Sequence, residues 1–98
     1  MRPEDVYVYT TPDVPGWKFE AACCNNLCYL FNLYDYRGND NKEAAIGQYL
    51  GRACEEAKAI AARQNFNCIV DFKPQITLNG EGYCIVNVNF TIGTLYLN

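Results

Sequence analysis

The residues best suited to chemistry in this 98-residue chain form one run, Cys23-Cys24-Asn25-Asn26-Leu27-Cys28. Adjacent thiols with a third four positions later could offer thiolates to a soft metal such as zinc or copper(I). Two features favour a structural role instead. Neighbouring strand residues point to opposite faces, so Cys23 and Cys24 diverge. The chain has no histidine, and the two-residue spacing of a zinc knuckle is absent. The expectation is therefore that Cys23, Cys24 and Cys28 are small residues packed around a turn, with thiolate metal binding as the alternative.

Catalysis is not expected. Without histidine there is no imidazole base and no histidine-based triad. Gly80-Glu81-Gly82 falls in a hairpin rather than before a helix, so it does not read as a phosphate loop. Asp35, Asp40, Asp71 and Glu81 are scattered and read equally well as caps and turns. A nucleophilic Cys24 or Cys28 would need a neighbouring cation or helix start, and nothing local provides one. A binding role has two candidate sets. Trp17, Tyr34 and Tyr36, with Tyr29, could stack on a planar ligand, although aromatic residues are also good strand formers. Asn87, Asn89 and Thr91 make a polar, uncharged row whose groups donate and accept.

These residues are positioned by one helix and several strands. Residues 40–64 place Ile46, Tyr49, Leu50, Ala53, Ala57 and Ile60 on one face at the 3.6-residue period. Asp40 with Glu43 reads as a capping box, and Asn65 tolerates the left-handed turn that ends helices. Leu50, at the centre of the face, is expected to be fully buried. Gly47, Gly51, Lys58 and Ala62 form a small-residue strip away from it. Residues 1–5 read as a loose tail, and residues 6–11 as a short strand ended by Pro12, Pro15 and Gly16. A strand over residues 17–24 turns at Asn25-Asn26 and returns over residues 27–36; the alternative is one unbroken strand from Trp17 past Asn25. Residues 67–78 form a strand that Pro74 confines to an edge or interrupts. Asn79-Gly80-Glu81-Gly82 is a hairpin turn. Residues 83–97 form the longest strand, with Gly93 as a bulge or kink.

The order strand, strand, strand, helix, strand, strand predicts a single α+β domain over residues 1–98. One long helix packs on an antiparallel sheet of about four to five strands. One helix leaves apolar sheet surface uncovered, which points to self-association. The chain is half apolar and 14% aromatic, with a formal charge of −3 and no basic cluster. That argues against a nucleic-acid polymer or an anionic membrane as partner. No apolar run approaches the ~20 residues of a membrane span, and residues 1–5 lack a signal-peptide core. A cytoplasmic location is expected, with the six cysteines as free thiols and Cys54, Cys68 and Cys84 buried.

The ordered features resemble the YbjQ-like family, small bacterial domains also described as heavy-metal-binding. Thr10-Thr11-Pro12 followed by Gly16 is similar to that family's opening. Arg52-Ala53, Ala57 and Ala61-Ala62-Arg63 fall where it has its main helix. Residues 67–71, Asn-Cys-Ile-Val-Asp, fall at its central strand, and Gly93-Thr94 falls near the end of its closing strand. The segment before the helix is shorter here and lacks the family's glycine-rich stretch. Gln64-Asn65-Phe66 stands in place of its Leu-Gly-Ala turn. The resemblance implies an α+β fold and ring-shaped homo-oligomers, typically pentamers. It implies no established catalytic residue, and no cofactor is expected. The function expected is a non-enzymatic oligomeric protein that binds a small molecule or partner. The alternatives are a thiolate metal-binding protein and a phage or mobile-element protein that sequesters a nucleotide signal.

Overall fold

Strict alternation of apolar and polar residues builds the longest strands, and their pairing sets the shape of the molecule. The computed structural model describes residues 1–32, 39–79 and 81–97, with the side chains of residues 39–42 excepted. Its elements are a short 3-10 turn (Pro3–Asp5), β1 (Tyr7–Val8), β2 (Trp17–Asn32), α1 (Asn39–Arg63), β3 (Cys68–Leu78) and β4 (Tyr83–Leu97). Among the described residues they form one four-stranded sheet in the order β1-β3-β4-β2. At about 3.3 Å per residue, the two longest strands account for the 48 Å long axis.

The α+β class holds, but the sheet is mixed rather than antiparallel. β1 runs parallel to β3, with Tyr7 opposite Cys68 and Val8 opposite Ile69. β3–β4 and β2–β4 are antiparallel. The N-terminal residues are not a loose tail. Val6 donates its amide to Pro3 O at 3.1 Å and is itself buried.

The turn expected at Asn25-Asn26 does not form; the alternative holds, and β2 runs unbroken from Trp17 through both residues to Asn32. The reason is non-local. Asn25 pairs with Phe90 and Asn26 with Asn89, so β4 supplies a ladder that outweighs the local turn preference of asparagine. The bulge lies instead in β2, between Ala21 and Cys23, opposite Gly93 and Ile92. A second irregularity in β3, between Val70 and Lys73, holds Asp71 at φ 56°. Pro74 follows it where β3 has become an edge, so its missing N–H costs no ladder bond.

Helix α1 begins at Asn39, so Asp40 lies in its first turn and not at the cap. The side chain of Asp40 lies outside the described residues. The helix ends as its sequence requires: Asn65 takes φ 61°, and Phe66 N bonds back to Ala61 O at 2.9 Å. The buried stripe is correct, but its centre is alanine. Ala53, Ala57 and Ala61 are fully buried, while Ile46, Tyr49, Leu50 and Ile60 flank them half-buried. Small side chains let the helix backbone approach the sheet, and the larger residues straddle the contact. Leu50 is therefore not the fully buried centre expected. Leu50→Ala should cost about 1–2 kcal/mol, below the range of a fully packed leucine, and exposed Gln48→Ala less than about 0.5 kcal/mol. Urea unfolding of both variants checks the ordering.

The small-residue strip is shorter than expected, because Ala62 is buried against the core. Gly47 and Gly51 are exposed, and a Cβ added at either meets nothing within 4 Å. In the isolated protomer Gly51→Ala should raise stability by about 0.5–1 kcal/mol through helix propensity alone. A thermal shift measured at low concentration reads this; a loss of stability there would mean that the site is occupied.

The apolar residues divide between the two faces of the sheet. The helix side holds Val6, Ile69, Cys84, Val86, Val88, Phe90 and Ile92 beneath the alanines, with Phe31 stacked on Tyr49 at 4.4 Å. On the other side a smaller cluster of Cys68, Val70 and Leu95 is covered by Val14, Tyr9 and Phe19. Asn67 closes this end by accepting from Leu95 N at 2.8 Å and donating to Leu95 O at 3.0 Å. No described helix is long and apolar enough to cross a membrane.

Candidate functional site

Strand periodicity places every second residue of β4 away from the helix. Val86, Val88, Phe90 and Ile92 are buried, while Ile85, Asn87, Asn89 and Thr91 alternate with them on the uncovered face. Register then assigns their neighbours. Cys28, Asn26 and Cys24 of β2 stand opposite Asn87, Asn89 and Thr91, and Lys73 and Gln75 of β3 stand on the other side of Asn89 and Asn87.

The centre of this face is a ladder of amides. Asn26 Nδ2 donates to Asn89 Oδ1 at 2.8 Å and to Asn87 Oδ1. Both protons of that amide nitrogen are thereby directed across the strand boundary. The sulfur of Cys24 lies 3.6 Å from the Thr91 hydroxyl. The backbone irregularity of β3 brings Asp71 beside Lys73, and their charged groups pair at 2.9 Å. Beside the ladder is an open depression of about 210 Å³, lined by Cys24, Asn25, Asp71, Lys73, Asn89, Phe90 and Thr91. A hydroxyl, a thiol, an amide and an ammonium–carboxylate pair line one shallow surface. Such a set offers hydrogen bonds of both polarities to a polar ligand or partner.

Of the residues expected to bind a ligand, Asn87, Asn89 and Thr91 share this face. Trp17 does not join them: it pairs with Leu97, eight positions beyond Asn89, or about 27 Å along the strand. Tyr34 and Tyr36 lie outside the described residues. Asn26, Asp71 and Lys73 belong to the site but were not singled out for it. Asn26 carries the local signal of a turn, and the approach of Asp71 to Lys73 depends on the bulge.

The three cysteines of the opening run are not brought together. Cys23 packs on the helix side, with Asn25 Nδ2 3.4 Å from its sulfur. Cys24 and Cys28 face the uncovered side, four strand residues and about 13 Å apart. Among the described residues no group of three His, Cys, Asp or Glu side chains could hold a metal ion. Cys54 is half-buried rather than buried, whereas Cys68 and Cys84 are fully enclosed. Burial pushes the Cys68 thiol up to about 11 and raises that of Cys84. Burial also raises the Tyr29 hydroxyl to about 12, with the facing Glu56 carboxylate adding to it. Thiolate supply and access set thiol reactivity. A disulfide reagent near pH 8 should therefore modify Cys24 and Cys28 first, and Cys68 and Cys84 only on unfolding. Peptide mapping of the modified protein checks the order.

No protein-family model matches the chain, and no curated protein matches it.

Proposed function

We propose that the chain is a non-enzymatic, self-associating binding protein of the YbjQ-like type, whose ligand-binding surface is the uncovered face of its sheet. The observation that carries this reading is the amide ladder of Asn26, Asn87 and Asn89 beside the depression lined by Cys24, Thr91 and Lys73. Polar residues on an exposed sheet face need no cross-strand ordering to be soluble. Here one amide is held by two others, which fixes the orientation of the groups presented to a ligand. Leu30, opposite Ile85 on this face and substantially exposed, supports association with further copies.

Native mass spectrometry of freshly purified protein tests the reading. The expected spectrum is a discrete species of several 11.1 kDa subunits carrying a polar small molecule. In Asn89→Ala the retained ligand should fall while the subunit count stays. A monomer with nothing bound would overturn the proposal.

A further inference from the structure

The two edges of the sheet are protected differently. At the β3 edge, residues 7–11 cover residues 67–72 through Tyr7 N to Asn67 O (2.9 Å), Asp71 N to Thr11 O (2.9 Å) and Phe72 N to Tyr9 O (3.1 Å). Where that cover ends, the edge continues as Lys73-Pro74. A charged side chain and a residue without an N–H are the usual devices that prevent strand addition. Nothing comparable is present at the β2 edge over residues 23–29 among the described residues. Among the described residues no strand lies beyond β2. From Ala21 to Asn32 the sequence holds no charged residue, no proline and no glycine. On the helix side of this edge Cys23, Leu27 and Tyr29 pack on the core yet stay half-buried, leaving apolar surface along the rim.

We infer that two copies of the chain pair their β2 strands antiparallel about a two-fold axis at Asn26, joining two sheets into one. This rests on the self-association reading alone, with an even number of subunits, and not on the pentamer that the YbjQ-like resemblance implies; it names the surface. An antiparallel strand that pairs with its own copy must set residues of the same face opposite one another, so one residue faces itself. With Asn26 at that point, Cys24 opposes Cys28 of the second copy, Cys23 opposes Tyr29 and Asn25 opposes Leu27. On the helix side the smaller Cys23 and Asn25 meet the larger Tyr29 and Leu27, and the apolar rims of the two helix-side layers become continuous. Moving the axis to Leu27 sets that leucine against itself and sets Cys24 against Leu30, which parts the two exposed thiols; moving it on to Cys28 sets Leu27 against Tyr29. Moving it toward Cys24 runs the bulge at Ala22 into the pairing. Over residues 23–29 the pairing adds about six to eight backbone hydrogen bonds.

The exposed thiols report the register. Within one chain Cys24 and Cys28 are about 13 Å apart, beyond the roughly 4.4–6.8 Å between Cα atoms that a disulfide spans. Across the two-fold they stand about 4.5–5.5 Å apart. Diamide, which takes two electrons and two protons from each thiol pair, should convert the intact protein to a covalent dimer linked Cys24 to Cys28. Cys24→Ser and Cys28→Ser should each lower that yield by about tenfold, because each removes one partner of both pairs. Hydrogen exchange on the unmodified protein gives a second reading that needs no variant: amides over residues 23–29 should gain protection as concentration rises through association. Equal cross-linking in Cys24→Ser, or unchanged exchange at residues 23–29 in the associated protein, would overturn the pairing. A ring with an odd number of subunits would also overturn it while leaving self-association standing. A monomer at all concentrations would remove both.

Discussion

Gly93→Ala should destabilise the protein by about 3 kcal/mol or more, at or above the top of the usual overpacking range. Gly93 is buried between Ala21 of β2 and Cys68 of β3. A Cβ there would strike the carbonyl oxygen of Glu20 and two ring carbons of Phe19, at 2.7 and 2.8 Å. A flexible side chain could swing aside, but the Glu20 carbonyl is backbone inside a paired strand. Relief therefore requires β2 and β4 to separate beside the bulge, where ladder bonds and the Phe19 contact are lost together. The glycine is needed for space and not for its dihedral freedom. Urea unfolding gives the number. A loss below about 0.5 kcal/mol, the range of an ordinary surface change, would show that the close approach of the strands is wrong.

Ile92→Ala should cost about 2–5 kcal/mol, the range for emptying a packed aliphatic site. Ile92 is fully enclosed and pairs with fully enclosed Ile69 beneath the alanine stripe of α1. The neighbours cannot collapse into the space, because the helix already approaches as closely as its alanines permit. The same change at Ile76, which keeps 43% of its surface exposed, should cost about 1 kcal/mol or less. If the two substitutions cost the same, the helix does not cover the end of the sheet where Ile92 lies.

Helix α1 was legible because two independent local signals agree, a 3.6-residue apolar period and a left-handed residue at Asn65, whereas the Asp40–Glu43 capping box misplaced its start. β4 was legible for the same kind of reason, since Val86 to Ile92 alternates without interruption. What failed was decided by contacts far away in sequence. Asn25-Asn26 carries a real turn preference, and only the partner strand overrides it. The two-residue β1 has too little pattern to reveal a parallel partner. The burial of Ala53, Ala57 and Ala61 ahead of Leu50 reflects how closely two backbones approach, which no periodicity encodes. In the site, Asn87, Asn89 and Thr91 could be read from alternation. Asn26 could be added only once β2 was continuous, and the Asp71–Lys73 pair only once the irregularity of β3 was known.

The short parallel seam also sets an order of assembly. β1 precedes its partner on β3 by about sixty residues, and closing so long a loop costs roughly 3–4 kcal/mol before contacts offset it. The β3–β4 hairpin closes over a few residues and faces no such cost. It can form early, whereas the β1 seam, two paired residues with a few flanking bonds, closes last and opens first. Val14 and Tyr9 are carried on the segment that this seam anchors. When it breathes, Val14 and Tyr9 leave the cover over Cys68, Val70 and Leu95 to Phe19 of β2, while the layer beneath α1 stays closed. The two hydrophobic faces of one sheet are thus unequal in lifetime as well as in size, and the smaller is a door on a short hinge.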